Sequence, residues 1–155
     1  MIENKIYSVV AIGNAMLDLV CEVPDQFLSK ARISKGVMNL VSRERSNNIL
    51  NLVRPIIETA GGSAANTIST LAKLGLKTGY IGKIADDPMG KVVKRDLLDN
   101  SIFYNTNFLD QGYTEATGKC IVLITPDKER TMNTYLGATE FLTDIDIDEE
   151  LIAQS

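Results

Sequence analysis

The sequence predicts an α/β fold with a doubly wound, mostly parallel sheet. Short apolar runs alternate with segments of helical periodicity, a pattern typical of parallel βαβ units. The length of 155 residues suits one domain. Hydrophobic residues make up 45% and charged residues 23%, which are ordinary values for a globular protein, so we expect an ordered chain with a core.

Apolar and β-branched runs predict the strands. They are residues 7–12, 19–23, 33–41, 56–60, 78–84, 102–107, 120–124 and 130–136. The first is largely apolar and ends at Gly13, as expected of a buried strand. The second and third form edge strands or a small separate sheet. Pro126 and Asp127 suit the centre of a type I turn, so the last two strands form a hairpin.

Capping residues and apolar periodicity predict the helices, which are residues 42–53, 63–74, a segment from 87 onward, and 143–150. Ser42 is a good N-cap, and Gly75 suits the end of the second helix. Asp87 caps the third, with Pro88 at the first helical position. Because the chain stops at Ser155, just after the fourth helix opens, we expect that it is truncated; a short terminal helix is the alternative.

The composition excludes several classes of function. Net charge is −4 and no basic stripe occurs, so we expect no nucleic-acid partner and no anionic membrane surface. The chain has no histidine, which excludes histidine acid–base chemistry, Ser–His triads and histidine-bound zinc. Cys21 and Cys120 have no metal-binding spacing, so we expect buried reduced thiols, no metal site and a cytoplasmic protein. Residues 1–7 do not resemble a signal peptide, and no run approaches the ~20 apolar residues of a membrane span.

Two polar residues follow the first predicted strand. Asn14 and Asp18 come just past its carboxyl end, where ligands bind in open α/β sheets. A carboxylate can accept hydrogen bonds from two neighbouring hydroxyls, and an amide can donate and accept beside it. The alternative is that Asn14 is a turn residue and Asp18 a solvated loop residue.

The segment 61–66, Gly-Gly-Ser-Ala-Ala-Asn, is the second candidate. Two glycines permit a tight turn and the close approach of a ligand to the backbone. Ser63 can cap the following helix, and Asn66 lies one turn further on. The alternative is a strand–loop–helix turn that uses glycine for geometry alone. The segment is not a P-loop, and the chain has no Gly-x-Gly-x-x-Gly motif.

Four segments together resemble the ribokinase-like (PfkB-type) family of sugar and nucleoside kinases. They are residues 12–18 (Ile-Gly-Asn-Ala-Met-Leu-Asp), 61–66, 85–90 (Ala-Asp-Asp-Pro-Met-Gly) and 129–132 (Glu-Arg-Thr-Met). The first is most similar to the adenosine kinase branch. The resemblance runs over nearly the whole chain. It implies that residues 1–155 are the substrate-binding part of a ribokinase-like domain, with a small β lid at about 19–41 and 118–136.

The resemblance also implies a site. The residues that it places in the substrate pocket are Asn14, Asp18, Gly61, Gly62, Ser63 and Asn66. Asp18 would hold sugar hydroxyls, and Arg130, at the start of a predicted strand, would approach the phosphates when the lid closes. Without the resemblance, Arg130 would be interpreted as a solvated surface charge. The family's catalytic base belongs to a Gly-Ala-Gly-Asp-type motif that this chain lacks. We therefore expect no catalytic residue here, and ATP and Mg²⁺ bound mainly by a C-terminal half that is absent.

The implied reaction is transfer of the γ-phosphate of ATP to a primary hydroxyl of a nucleoside or sugar, with this chain alone inactive. A sugar kinase for ribose, fructose or a keto-acid sugar is the alternative within enzymes. A non-catalytic sugar- or nucleoside-binding module is the alternative from another class. A homodimer through the lid or an exposed sheet edge is left open.

Overall fold

Eight strands divide between two sheets in the computed structural model, which describes residues 5–155. Their bounds are β1 Val9–Ile12, β2 Met16–Glu22, β3 Met38–Leu40, β4 Ile57–Gly61, β5 Thr78–Ile81, β6 Ile102–Phe103, β7 Gly118–Ile124 and β8 Arg130–Tyr135. The first four residues of the segment 1–7, on which the signal-peptide expectation rests, lie outside the described part.

The smaller sheet is parallel and has the order β1–β5–β6. The larger sheet has the order β3–β8–β7–β2–β4 and is mixed. In it, β2 pairs in parallel with β7 and antiparallel with β4, while β7 and β8 form the predicted antiparallel hairpin. The predicted α/β class is confirmed. The larger sheet also recruits β4, which lies outside both predicted lid segments.

The described range contains five α-helices, of which the first four connect strands and the fifth follows the last strand: α1 Asp25–Ala31, α2 Arg43–Leu50, α3 Ser63–Lys73, α4 Pro88–Asp99 and α5 Glu149–Ala153. The predicted caps of α2 and α4 are confirmed. The Ser42 hydroxyl accepts a hydrogen bond from the amide of Arg45 at 3.1 Å, and the Asp87 carboxylate accepts one from the amide of Gly90 at 2.7 Å. Helix α3 packs against β1 and β5, while α4 packs against β2, β4 and β6 and thereby joins the two sheets.

The core lies between the helices and the inner face of the larger sheet, and extends to the parallel sheet. Its largest fully buried side chains include Leu17, Leu19, Ile68, Tyr80 and Ile121. Cys21 and Cys120 are buried free thiols, as predicted. Across residues 5–155 we find no helix with the length and apolar character needed to cross a bilayer.

Several local predictions were wrong. Helix α1 was not predicted, because it is short and buries only Leu28. The strand predicted over 33–41 is reduced to β3, and the one over 102–107 to the two residues of β6. The helix predicted from residue 143 begins at Glu149. A 3₁₀ turn precedes it, because the Asp146 carboxylate folds back onto the Thr143 amide and also pairs with Lys83.

Candidate functional site

Asp18 was expected just past the first strand, with a solvated loop residue as the alternative, and it lies within β2. Its Cα partners are Thr59 on β4 and Cys120 on β7. Its carboxyl group covers Gly61, where an added Cβ would lie 2.0 Å from the carboxyl carbon. Gly61 is the last residue of β4, so its missing side chain makes room for the Asp18 carboxylate, whereas the sequence suggested a turn.

Gly62 performs a different task from its neighbour. Its φ of 99° lies in the region that favours glycine, and an added Cβ would lie 2.3 Å from the carbonyl oxygen of Asn14. The two glycines therefore bring the β1–β2 loop and β2 against the start of α3. Asn14, Asp18 and the pair of glycines, which the sequence singled out separately, form one cluster.

Helix α3 completes this cluster from one side. Gly62 is its N-cap, and no side chain caps it, so the prediction that Ser63 caps the helix was wrong. Ser63 is the exposed first helical residue instead. No acidic residue occupies the first turn, so its free amides and the positive end of the helix dipole are left to interact with an acceptor in the cluster.

The Asp18 carboxyl is electrostatically perturbed. Its burial raises the pKa from 3.8 to about 6, because a charged carboxylate is poorly solvated there. The side chain of Asn66 acts in the opposite direction and lowers this pKa by hydrogen bonding. The carboxylate is therefore ionised at neutral pH but poorly satisfied by protein groups, as expected of a group that accepts hydrogen bonds from a ligand.

The sheet face around Asp18 is apolar. Paired residues on neighbouring strands share a face, so the register places a set of side chains beside the carboxylate. These are Met16, Val20, Leu40, Cys120, Val122, Met132 and Thr134. Leu40, on the edge strand β3, is 64% exposed. Sequence reasoning missed these neighbours, although the alternation along β2 and β7 carries the signal once the two strands are paired.

Arg130 lies apart from the cluster. It begins β8 as predicted and pairs with Ile124, at the opposite end of the hairpin from Thr134, which shares the Asp18 row. Four residues along a strand correspond to about 13 Å. The structure thus brings Asn14, Asp18, Gly61, Gly62 and Asn66 together and leaves Arg130 distant, so its phosphate contact stays a prediction.

A cleft of about 760 Å³ lies on the other face of β2. It is lined by Leu17 and Leu19, which alternate with Asp18 along the strand and therefore point away from it. Its polar lining residues are the exposed Asn51, Arg54 and Glu58 at its rim. The Asp18 cluster has the convergent polar groups that this cleft lacks, and we take it as the candidate site.

The cluster can bind neighbouring hydroxyl groups. The Asp18 carboxylate accepts hydrogen bonds, while the amides of Asn66 and of the first turn of α3 donate them. Among residues 5–155, no three His, Cys, Asp or Glu side chains come together in a way that could hold a metal ion.

The chain is similar to proteins of known family. The model of the pfkB family of carbohydrate kinases matches residues 8–155. The chain is 32% identical over 115 residues to 5-dehydro-2-deoxygluconokinase 2 of Bacillus cereus, an alignment that covers 68% of this chain and 32% of that protein.

Comparison with solved structures also finds kinases. The structure is similar to adenosine kinase from Sinorhizobium meliloti, with a TM-score of 0.87 and 37% identity over 96% of this chain and 45% of that one. The structure is also similar to that of a probable sugar kinase from Rhizobium etli CFN 42, with a TM-score of 0.87 and 34% sequence identity. That match covers 96% of this chain and 44% of the other. The chain therefore spans about a third of the curated relative and less than half of the similar structures.

Proposed function

The chain belongs to the pfkB family of carbohydrate kinases, and from this premise we propose that it is the substrate-binding portion of an ATP-dependent kinase that phosphorylates a primary hydroxyl of a nucleoside. The observation that carries the proposal is the position of the Asp18 carboxylate above Gly61, beside Asn66 and the start of α3. This arrangement fits two neighbouring hydroxyls of a ribose ring.

The apolar surroundings of Asp18 favour a nucleoside over a free sugar. A free sugar presents hydroxyls on nearly every side, whereas a nucleoside presents two ribose hydroxyls at one end and an aromatic base at the other. Leu40, Cys120 and Met132 share the Asp18 face and offer the base an apolar surface. Burying the base there adds affinity that a sugar alone does not gain.

The chain's own residues position the acceptor and do not perform its deprotonation. Asp18 and Asn66 fix the ribose ring, and the free amides of α3 orient it further. Mg-ATP supplies the phosphoryl group when it is bound, and phosphoryl transfer depends mostly on positioning and electrostatic stabilisation. We propose that ATP, Mg²⁺ and the catalytic base are held by residues outside this chain, and that the chain alone has no kinase activity.

Closure of the larger sheet over the substrate is part of the same proposal. The segments at 19–41 and 118–136 supply the second half of β2, β3 and the β7–β8 hairpin, which lie beside Asp18. Closing them would exclude water that otherwise attacks ATP. On closure the hairpin end would also carry Arg130 towards the phosphates. We further propose that the protein is cytoplasmic, in keeping with its two free thiols. Met38 and Leu40 on the edge strand β3 are exposed, and a homodimer could form through this edge of the sheet.

A sugar or sugar-acid kinase is the second candidate, since the curated relative is 5-dehydro-2-deoxygluconokinase 2. A panel of adenosine, inosine, ribose, fructose and 5-dehydro-2-deoxygluconate separates the two in binding and ATP-dependent phosphorylation assays on the full-length protein. If a nucleoside binds most tightly, the nucleoside kinase is supported. If the sugar acid is preferred, the sugar-acid kinase becomes the proposed function instead. Binding without phosphorylation would favour a non-catalytic binding module.

Asp18→Asn tests the site itself. It removes the charge while keeping the size, and loss of two charge-assisted hydrogen bonds of ~1.5–3 kcal/mol each should weaken binding at least about 100-fold. Glu22→Gln is the matched control: it makes the same change on the same face of β2, at the end of the strand that lies away from Gly61. Equal affinity of the Asp18 variant and the parent would contradict the assignment.

A further inference from the structure

Tyr80 is a fully buried tyrosine beneath the candidate site. It lies in β5, and its ring stacks on that of Tyr104 with centroids 6.3 Å apart and planes inclined by 25°. The Tyr104 hydroxyl donates a hydrogen bond to the carbonyl of Gly82 at 2.6 Å. Two neighbouring tyrosines thus share an apolar environment, and one of them has its hydroxyl satisfied.

The Tyr80 hydroxyl has no hydrogen-bond partner within residues 5–155, although the side chain is 0% exposed. Burial raises the pKa of this phenol, so it remains a protonated donor. An unpaired buried hydroxyl is unfavourable, and phenylalanine would fill the same space without that cost. Packing therefore accounts for the ring of Tyr80 and not for its oxygen.

The hydroxyl lies directly under the loop that carries Asn14. A Cβ added to Gly13 would be 3.6 Å from the Tyr80 hydroxyl and 2.8 Å from the Cβ of Ala64, in the first turn of α3. One added to Gly82 would be 2.7 Å from the Gly13 carbonyl oxygen and 3.0 Å from the Tyr80 ring. The unpaired hydroxyl, the Gly13 backbone and the start of α3 therefore meet at one point.

The Gly13 carbonyl is an available acceptor at that point. The Gly13 amide donates to Ile81 at 3.0 Å, but no donor within the described residues reaches its carbonyl oxygen. The next residue is Asn14, whose own carbonyl touches Gly62. A hydrogen bond from the Tyr80 hydroxyl to the Gly13 carbonyl requires a movement of this loop, because no such bond is present in the described structure.

We propose that Tyr80 is a positioning residue: its hydroxyl donates to the Gly13 carbonyl when substrate binds and thereby fixes Asn14 and the β1–β2 loop against α3. The proposal rests on the proposed function, because the ligand is taken to bind at the Asp18 cluster. It adds a residue that lies outside the binding pocket and that none of the sequence motifs contains.

The test compares Tyr80→Phe with Tyr104→Phe in the full-length protein. Adenosine affinity is measured by titration calorimetry, unliganded stability by urea unfolding, and KM and kcat separately. One hydrogen bond gained on binding corresponds to about a five- to tenfold effect. We expect Tyr80→Phe to weaken adenosine binding and raise KM by that factor, with unliganded stability unchanged or increased.

Tyr104→Phe should give the opposite pattern, because its hydroxyl is already paired in the unliganded protein. We expect it to lower stability and leave affinity within about twofold of the parent. Unchanged affinity of Tyr80→Phe overturns the proposal, as does a loss of stability and affinity that is equal in both variants. A parent protein that binds no member of the nucleoside and sugar panel overturns the proposed function and, with it, the premise of this one.

Discussion

Replacing Asp18 by asparagine should stabilise the protein at neutral pH while it impairs ligand binding. The carboxylate is ionised in a partly buried position where its pKa is raised from 3.8 to about 6. The folded state therefore binds more protons than the unfolded state between about pH 4 and pH 6, and stability falls as pH rises through that window. Asparagine removes this proton linkage and keeps the side-chain size.

The magnitude follows from the pKa difference. One pKa unit corresponds to about 1.4 kcal/mol, so the change from 3.8 to about 6 amounts to ~3 kcal/mol at pH 7 and only ~0.5 kcal/mol at pH 4. Because Asp18 is only partly buried, solvent screening reduces the effect, and we expect a gain of ~1–3 kcal/mol at pH 7.

Urea unfolding of the parent and of Asp18→Asn, measured from pH 4 to pH 8, checks this expectation. Glu22→Gln is the control, since its exposed side chain lies on the same strand. The gap between Asp18→Asn and the parent should widen from pH 4 to pH 7 and stay level above that. An Asp18→Asn protein that is less stable than the parent at pH 7, or a gap that does not change with pH, would refute this reasoning.

Two further predictions concern the packing of Gly61 in the site and the ion pair of Lys83 with Asp146 elsewhere in the fold. Gly61→Ala should displace the carboxyl that covers it and weaken adenosine binding at least about tenfold in calorimetry, whereas Gly112→Ala, where an added Cβ meets nothing within 4 Å, should bind like the parent. Lys83→Met should leave the carboxylate of Asp146 buried without its counter-ion, at a cost of ~3–5 kcal/mol in urea unfolding. The double variant that also carries Asp146→Leu should recover most of that loss, and a double variant no more stable than Lys83→Met would contradict it.

The sequence predicted most of the frame because its local signals agree with the tertiary structure. The caps at Ser42 and Asp87 and the hairpin turn at Pro126 each act within a few residues, and each is found where predicted. Helix α1 was missed because seven residues with one buried side chain leave little periodicity.

The candidate site was harder to predict because it depends on strand pairing. The sequence identified Asp18 and Gly61 but gave Gly61 the role of a turn, since nothing local reveals that the two residues face each other across β2 and β4. Cys120 and Leu40 join Asp18 only through the register of four strands. The unpaired hydroxyl of Tyr80 is likewise visible only after folding.

The central claim is that the Asp18 carboxylate holds the hydroxyls of the substrate's ribose. The most direct measurement is a cycle of affinities for adenosine, 2′-deoxyadenosine and 3′-deoxyadenosine, taken on the full-length parent and on Asp18→Asn. We predict that removing a hydroxyl weakens binding to the parent at least about tenfold and has almost no further effect on Asp18→Asn. The effects of removing the hydroxyl and of removing the carboxylate do not add, because both changes remove the same interaction. Equal losses in both proteins would contradict the claim and place the ribose elsewhere.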